Sequence, residues 1–209
     1  MRVASVAILI ALALAGCSQR SAGAQHRGGQ WRVAYDGFGR VAASSRAGAR
    51  QFTLEPARPD SATTTHSALM LSAGSWRDFS LAVRVRTNYQ LRQPHPNAWE
   101  VGWILWHYTD DHHFYYLILK PNGFELGKED PSYPGNQHFL VTSAEPVFPV
   151  GRWYLVRVEQ RGDVVSVSVA GRKIVRFVDS ARPYTSGRVG LYTEDASATF
   201  EPVELAPAP

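Results

Sequence analysis

Residues 99–130, WEVGWILWHYTDDHHFYYLILKPNGFELGKED, gather most of the chain's side chains that could do chemistry: indole and phenol rings, imidazoles and carboxylates. Aromatic planes stack on the C–H faces of sugars, while carboxylates and imidazoles take the hydrogen bonds of sugar hydroxyls. Two carboxyl groups on either side of a glycosidic bond can also act as acid and as nucleophile or base. Whether these groups meet depends on strand parity, because successive side chains of a strand point to opposite faces. A hairpin turning at residues 109–112 sets Tyr108 opposite His113, Trp106 opposite Tyr115 and Ile104 opposite Leu117. A three-residue turn at Pro121-Asn122-Gly123, with the glycine in the left-handed region, then sets Lys120 opposite Phe124 and Leu119 opposite Glu125.

On this register one face holds Trp99, Val101, Trp103, Leu105, Phe114, Tyr116, Ile118, Phe124 and Leu126, and is the expected core. His107, Lys120 and Lys128 stand at its ends. The other face mixes rings with carboxylates, and Glu100, Trp106, Tyr108, His113, Tyr115, Glu125 and Glu129 form the candidate glycan-binding set. The competing arrangement buries both faces and makes Trp106, Tyr115 and Leu117 packing residues. A slip of one residue would exchange the two faces.

Glu100, Glu125 and Glu129 share the mixed face, so a carboxylate pair is available there for hydrolysis. Asp110-Asp111-His112-His113 offers oxygen and imidazole ligands in succession, but adjacent strand residues diverge, and the run reads as a solvated turn. Gly28-Gly29 is followed by no strand-to-helix transition and forms no phosphate loop. Cys17 is the only cysteine, which excludes an intrachain disulfide and a cysteine-based metal site. The net charge of +4 is spread along the chain without a basic stripe, so nucleic acid is not an expected partner. A mild positive excess suits anionic glycans or a lipid surface.

The elements that must position these residues read as short strands. They are expected at 31–35, 51–55, 68–73, 79–87, 99–108, 113–120, 124–128, 153–160, 164–170, 172–178, 189–193 and 199–205. Residues 164–170 alternate valine with serine, the period of a half-buried strand. Turn signals separate the runs, and no segment after the first seventeen residues keeps a helical period without proline or glycine. Many strands at short spacing predict an all-β fold of two packed antiparallel sheets. The segments 90–98 and 130–149 are too long for hairpin turns, and long loops on such scaffolds often carry function.

Arg2 and the apolar run to Ala15 have the length of a signal-peptide core, too short to span a bilayer. The run closes on Leu14-Ala15-Gly16-Cys17, which resembles the lipobox of bacterial lipoproteins. That resemblance implies removal of residues 1–16, acylation of Cys17 with chains such as palmitate, and anchoring at a membrane. Each buried methylene contributes about 0.8 kcal/mol. Ser18, where an aspartate would resemble an inner-membrane retention signal, favours the outer membrane in a cell with two membranes. Residues 17–30 then form the lipidated cysteine and a flexible tether, 31–206 the domain and 207–209 a tail. Loss of Arg2 with the signal takes the net charge from +4 to +3.

Residues 151–205 run GRWYLVRVEQRGDVVSVSVAGRKIVRFVDS and later SGRVGLYTEDASATFEPVEL. Gly151 with Trp153, the alternation through Val156 and Val158, Gly162, Val165 to Val169, Gly171 and Phe177 with Asp179 are the first carriers of a resemblance. Gly187, Gly190, Leu191, Phe200 and Val203 continue it. Together they resemble the concanavalin A-like lectin/glucanase and laminin G-like superfamily, and within it the 3-keto-disaccharide hydrolase-like domains. The resemblance implies a two-sheet antiparallel jelly-roll sandwich and leaves function open. The Glu-x-Asp-x-x-Glu strand of the glucanases is absent, since Glu125 is followed by Leu-Gly-Lys-Glu-Asp. Lyases of this fold use tyrosine and histidine, which Tyr115, His113 and Tyr108 would imitate, but their Arg-x-Glu-x-Arg strand is missing. No cofactor is required. Domains of this type often hold a structural calcium where first and last strands meet, and Asp36 and Glu201 are the candidates for it. The expected function is a cell-envelope lipoprotein whose domain binds carbohydrate through an aromatic and carboxylate-lined concave face. A glycoside hydrolase or polysaccharide lyase is the alternative, and a non-catalytic protein-interaction domain the second.

Overall fold

The structure is a computed structural model describing residues 30–208. Cys17, its lipobox and most of the tether lie outside the described residues. Fourteen strands follow one another: β1 (Trp31–Tyr35), β2 (Arg40–Arg46), β3 (Ala49–Glu55), β4 (Ser67–Ser72), β5 (Phe79–Gln90), β6 (Gly102–Asp110) and β7 (His113–Lys120), then β8 (Gly123–Glu129), β9 (Gln137–Ser143), β10 (Tyr154–Arg161), β11 (Val164–Val169), β12 (Arg172–Val178), β13 (Arg188–Glu194) and β14 (Ala196–Pro207). The helical content among the described residues is one 3-10 turn, Pro134–Asn136.

The strands form two seven-stranded antiparallel sheets, ordered β1-β4-β13-β6-β7-β8-β9 and β12-β11-β10-β5-β14-β3-β2. They pack as the all-β sandwich expected from the sequence. Alternating residues of each sheet meet in the core, with Ile104, Trp106, Tyr115 and Leu117 from the first against Val83, Val85, Val158 and Phe200 from the second. Burial on this scale is the main favourable term of the fold. Most polar groups that enter the core find partners, Trp76 Nε1 and His138 Nδ1 being buried without one. Trp106 Nε1 donates to Gln160 Oε1 at 3.0 Å, and the Tyr115 hydroxyl donates to Asp179 Oδ2 at 2.6 Å. The fully buried Lys128 Nζ donates to the same carboxylate at 2.8 Å and to the Ala181 carbonyl.

Two strands fall where no strand is expected from the sequence. β2, RVAASSR, lacks large apolar residues, and forms because the edge of the second sheet offers it β3 as a ladder partner. β9, QHFLVTS, arises inside the stretch 130–149 and pairs with β8. The hairpin of β6 and β7 has Trp106 opposite Tyr115 and Ile104 opposite Leu117, as the sequence suggests. Beyond Trp106 the register shifts, and Asp110 rather than Tyr108 lies opposite His113. The β7–β8 turn is also shorter by one than expected, with Lys120 opposite Gly123 and Ile118 opposite Glu125. Gly123 has φ 132° and a Cβ there would lie 1.9 Å from the Ser143 carbonyl oxygen, so the tight turn requires glycine.

Neither displacement touches the pairing of Trp106 with Tyr115: β6 and β7 keep the two expected groups of side chains, and it is the mixed group, not the more apolar one, that packs against the second sheet. Trp106 and Tyr115, expected on an open glycan face, are both 0% exposed between the sheets. Trp103, Leu105 and Tyr116, expected in the core, lie instead in a second apolar layer on the outer face of the first sheet.

Candidate functional site

Over that outer layer opens a hollow of about 700 Å³. Its lining takes rings from four strands, among them Tyr35 (β1), Trp103 and Tyr108 (β6), Phe114 (β7) and Tyr192 (β13). Tyr108 stacks on Phe114 with centroids 5.8 Å apart, and Tyr192 meets Trp103 edge-on at 5.2 Å. Strand parity alone would turn Tyr108 away from Trp103 and Leu105. His107 corrects this, for it takes φ 51° in a bulge that shifts the strand by one residue against β13 and by two against β7. Its ring nitrogens lie 2.6 Å from the Tyr184 carbonyl oxygen and 2.8 Å from that of Arg77, which fixes the bulge.

Polar groups converge on the same space. Tyr108 donates to Asp111 Oδ1 at 2.8 Å, and Tyr35 reaches the same oxygen at 3.4 Å. Burial first, and then the Asp111 carboxylate, push both phenols well above their ordinary range, so both stay protonated donors. The Tyr192 hydroxyl donates to Glu194 Oε1 at 2.6 Å. Burial raises the Glu194 carboxyl despite that hydrogen bond. Burial also pushes Glu129 up to about 6, with the charge of Glu194 adding to the effect and a hydrogen bond from Gln137 opposing it. His66, His112 and Gln137 complete the polar lining.

One wall is the turn Asp36-Gly37-Phe38-Gly39. Asp36 Oδ1 accepts the Phe38 N–H at 3.1 Å, and a Cβ on Gly37 would stand 2.4 Å from the Ser67 carbonyl oxygen. The turn is therefore pressed against the body of the sandwich. It holds Phe38 at φ 62° and 88% exposed, with its ring edge-on to His66 at 5.5 Å.

Of the residues expected to touch glycan, Tyr108 and Glu129 line this hollow, and Trp106, Tyr115, Glu100, Glu125 and His113 do not. Trp106 and Tyr115 are core. Glu100 is buried in an ion-pair cluster, where Arg92 bridges it to Asp195 and also donates to the Thr64 carbonyl at 2.8 Å. Glu125 accepts from Lys120 Nζ at 2.7 Å and from the Tyr116 hydroxyl at 3.2 Å, away from the opening. His113 bonds Asp110 Oδ1 at 2.8 Å on the hairpin tip, and its neighbour His112 faces the hollow instead. Asp36, in the turn between β1 and β2, and Glu201, on β14, line different hollows, and Glu201 is bound to Gln51 and to Arg84 at 3.8 Å. They do not form one calcium site. Among the described residues no three His, Cys, Asp or Glu converge as a metal-ligand group.

Tyr35, Phe38, His66, Trp103, Phe114, Tyr192 and Glu194 were not expected at the site. Parity of β6 and β7 would have found Trp103 and Phe114 had the burial of the two faces been assigned the other way. Tyr35, Tyr192 and Glu194 come from strands far away in the chain, and nothing in their local sequence marks them.

The two seven-stranded antiparallel sheets have the fold of a concanavalin A-like jelly-roll sandwich. Within that class the chain belongs to the family of the 3-keto-alpha-glucoside-1,2-lyase-like domain, whose model matches residues 21–206. Solved structures share the fold at low identity. A carbohydrate binding module from Bacillus subtilis superposes with TM-score 0.60 at 17% identity, over 85% of this chain and 95% of that one. A β-1,3-1,4-glucanase (lichenase) from a mouse hindgut metagenome gives TM-score 0.57 at 12% identity, over 86% and 92%. A galectin-like protein of unknown function from Bacillus subtilis gives 0.54 at 12%, over 85% and 89%. No curated protein matches the chain.

Proposed function

We propose that the hollow over β6, β7 and β13 binds a saccharide, and that the chain presents it at a membrane through acylated Cys17. The observation that carries this is the pairing, in one opening, of ring surfaces with buried-edge carboxylates: Trp103, Tyr108, Phe114 and Tyr192 beside Glu129 and Glu194. Rings accept the C–H faces of a pyranose, and carboxylates accept its hydroxyl hydrogen bonds. Tyr108 is already oriented by Asp111, so less freedom is lost when ligand binds. Carbohydrate binding or processing is also what the family's description and the sandwich neighbours suggest.

A catalytic reading is favoured by one specific feature. Glu129, raised to about 6, exchanges its proton near neutral pH, which suits a general acid–base group. Of Glu100, Glu125 and Glu129, the first two are committed to ion pairs, which leaves Glu129 and, beside it, Glu194 as the carboxyl groups to test. The family description directs the assay to glucosides oxidised at the 3-position.

The experiment is a glycan array followed by calorimetry with wild type, Tyr108→Ala and Glu129→Gln, and incubation with 3-keto-glucosides monitored for cleavage. Binding lost in Tyr108→Ala supports the site. Cleavage by wild type but not by Glu129→Gln supports the catalytic reading. Saccharide binding unchanged in both variants would remove the hollow from consideration.

A further inference from the structure

We propose a second ligand site, on the outer face of the second sheet, that takes an acidic saccharide, one carrying a carboxylate or phosphate. It lies on the other sheet from the hollow described above and does not depend on that reading. Two adjoining depressions of about 360 and 380 Å³ share Arg46 and Trp153 in their linings. Arg40 and Arg86 line the first, and Arg84 the second.

The ladder register shows where the charge is unbalanced. Arg84 of β5 stands opposite Glu201 of β14, and their side chains are 3.8 Å apart. Arg40 of β2 stands opposite Glu55 of β3 and bonds it at 3.3 Å. Between these rows, Arg86 stands opposite Thr199, and Thr199 opposite Thr53. That row contains no carboxylate. Among the described residues neither Arg86 nor Arg46 has an ion-pair partner, and the Arg86 Nε donates only to the Asn88 side-chain carbonyl at 2.8 Å.

The Trp153 indole draws two of these cations together, with the guanidinium carbon of Arg84 at 4.9 Å and that of Arg86 at 5.5 Å from its ring centroid. Cation–π attraction offsets part of their mutual repulsion, and a bound oxyanion would offset the rest. A guanidinium also binds a carboxylate or phosphate through two parallel N–H bonds. The groups around the cations decide the class of ligand. Thr53, Thr199 and Asn88, hydrogen-bonded to one another, and Gln51, bonded to Ser44 and Glu201, line the first depression with hydroxyl and amide groups whose remaining donor and acceptor positions suit the hydroxyls of a sugar.

The test uses the whole protein with three probes: polygalacturonate, a neutral β-glucan, and phosphatidylcholine vesicles with or without phosphatidylglycerol. Binding is followed by calorimetry for the glycans and by co-sedimentation for vesicles, at low and high salt. Wild type is expected to bind polygalacturonate in a salt-sensitive way, and Arg46→Glu and Arg86→Gln to weaken it about tenfold each, while Arg46→Lys, which keeps the charge but not the paired N–H bonds, falls between wild type and Arg46→Glu. Tyr108→Ala, in the other hollow, is expected to leave this binding unchanged. Arg46 is exposed on a hairpin, so its variants fold even if Arg86→Gln does not. The proposal falls if polygalacturonate does not bind, or if binding survives Arg46→Glu. It also falls if Tyr108→Ala abolishes binding, or if only the response to phosphatidylglycerol depends on Arg46.

Discussion

Trp106 and Tyr108 are two residues apart in one strand, yet they point to opposite sides of the first sheet. Trp106 is sealed between the layers and donates to Gln160, while Tyr108 lines the open hollow and donates to Asp111. The left-handed backbone of His107 between them produces the reversal. Residues this close in sequence therefore do different work, and their substitutions should separate cleanly. Trp106→Ala should cost about 3–5 kcal/mol of stability, in the range for deleting a buried aromatic, measured by urea unfolding. Tyr108→Ala should lower saccharide affinity with a much smaller loss of stability. Equal unfolding midpoints for wild type and Trp106→Ala would mean that the ring is not core.

Phe38 is the most exposed large apolar residue at the mouth of the hollow, at 88%. A non-glycine residue at φ 62° is strained, and burial of its own ring does not repay that strain. Its placement instead suits stacking on a sugar that extends out of the hollow. Phe38→Ala should leave the thermal midpoint within a degree or two and weaken oligosaccharide binding about threefold to tenfold, the usual worth of one ring contact. Phe38→Gly should relieve the strain and raise stability slightly. An oligosaccharide titration that cannot tell Phe38→Ala from wild type would rule the platform out.

How far the sequence reveals all this can be judged from the same hairpin. The opposition of Trp106 to Tyr115 follows from alternation and a turn near residue 110, and so does the sandwich to which it belongs. The bulge at His107 does not, because its cause is a pair of carbonyl oxygens on Arg77 and Tyr184, remote in sequence. The turn at Pro121-Asn122, one residue shorter than alternation suggests, moves β8 alone to the other parity, so that Glu125 joins Ile118 while Phe124 and Leu126 join Leu119 and Leu117 in the core. Tyr108 and Glu129 are legible as site residues by composition. Tyr35 and Glu194 become so only once β1 and β13 are seen in the same sheet as β6. Glu100 and Asp195 look like free carboxylates until the loop after β5 brings Arg92 between them.

That cluster carries its own prediction. Arg92 holds two buried carboxylates and the carbonyls of Ser61 and Thr64, tying an otherwise irregular loop to the start of β14. Removing one member of a buried ion network leaves the others uncompensated, at a cost of about 3–5 kcal/mol. Arg92→Met should therefore unfold at markedly lower urea concentration. Combining it with Glu100→Gln should recover part of the loss, since one stranded charge is then removed. Strict additivity of the two changes would show that Arg92 and Glu100 are not coupled.

Glu129 gives the pH dependence. Burial raises its carboxyl from the ordinary 4.5 to about 6, so the folded state holds this proton more tightly than the unfolded chain does. The contribution to stability is complete below pH 4.5 and is lost as pH rises through 6. Ionised Glu129 is thus a liability at pH 7, one that a bound hydroxyl or a transferred proton would justify. Glu129→Gln should remove the fall in stability between those pH values and leave the protein more stable than wild type at pH 7, measured by chemical unfolding at a series of pH values. If the carboxyl serves as an acid–base group, the same variant should lose the inflection near pH 6 in the rate of glucoside cleavage. A wild-type stability curve that is flat from pH 4.5 to 7 would place the Glu129 carboxyl in solvent, and with it one of the two acids at the centre of the proposed site.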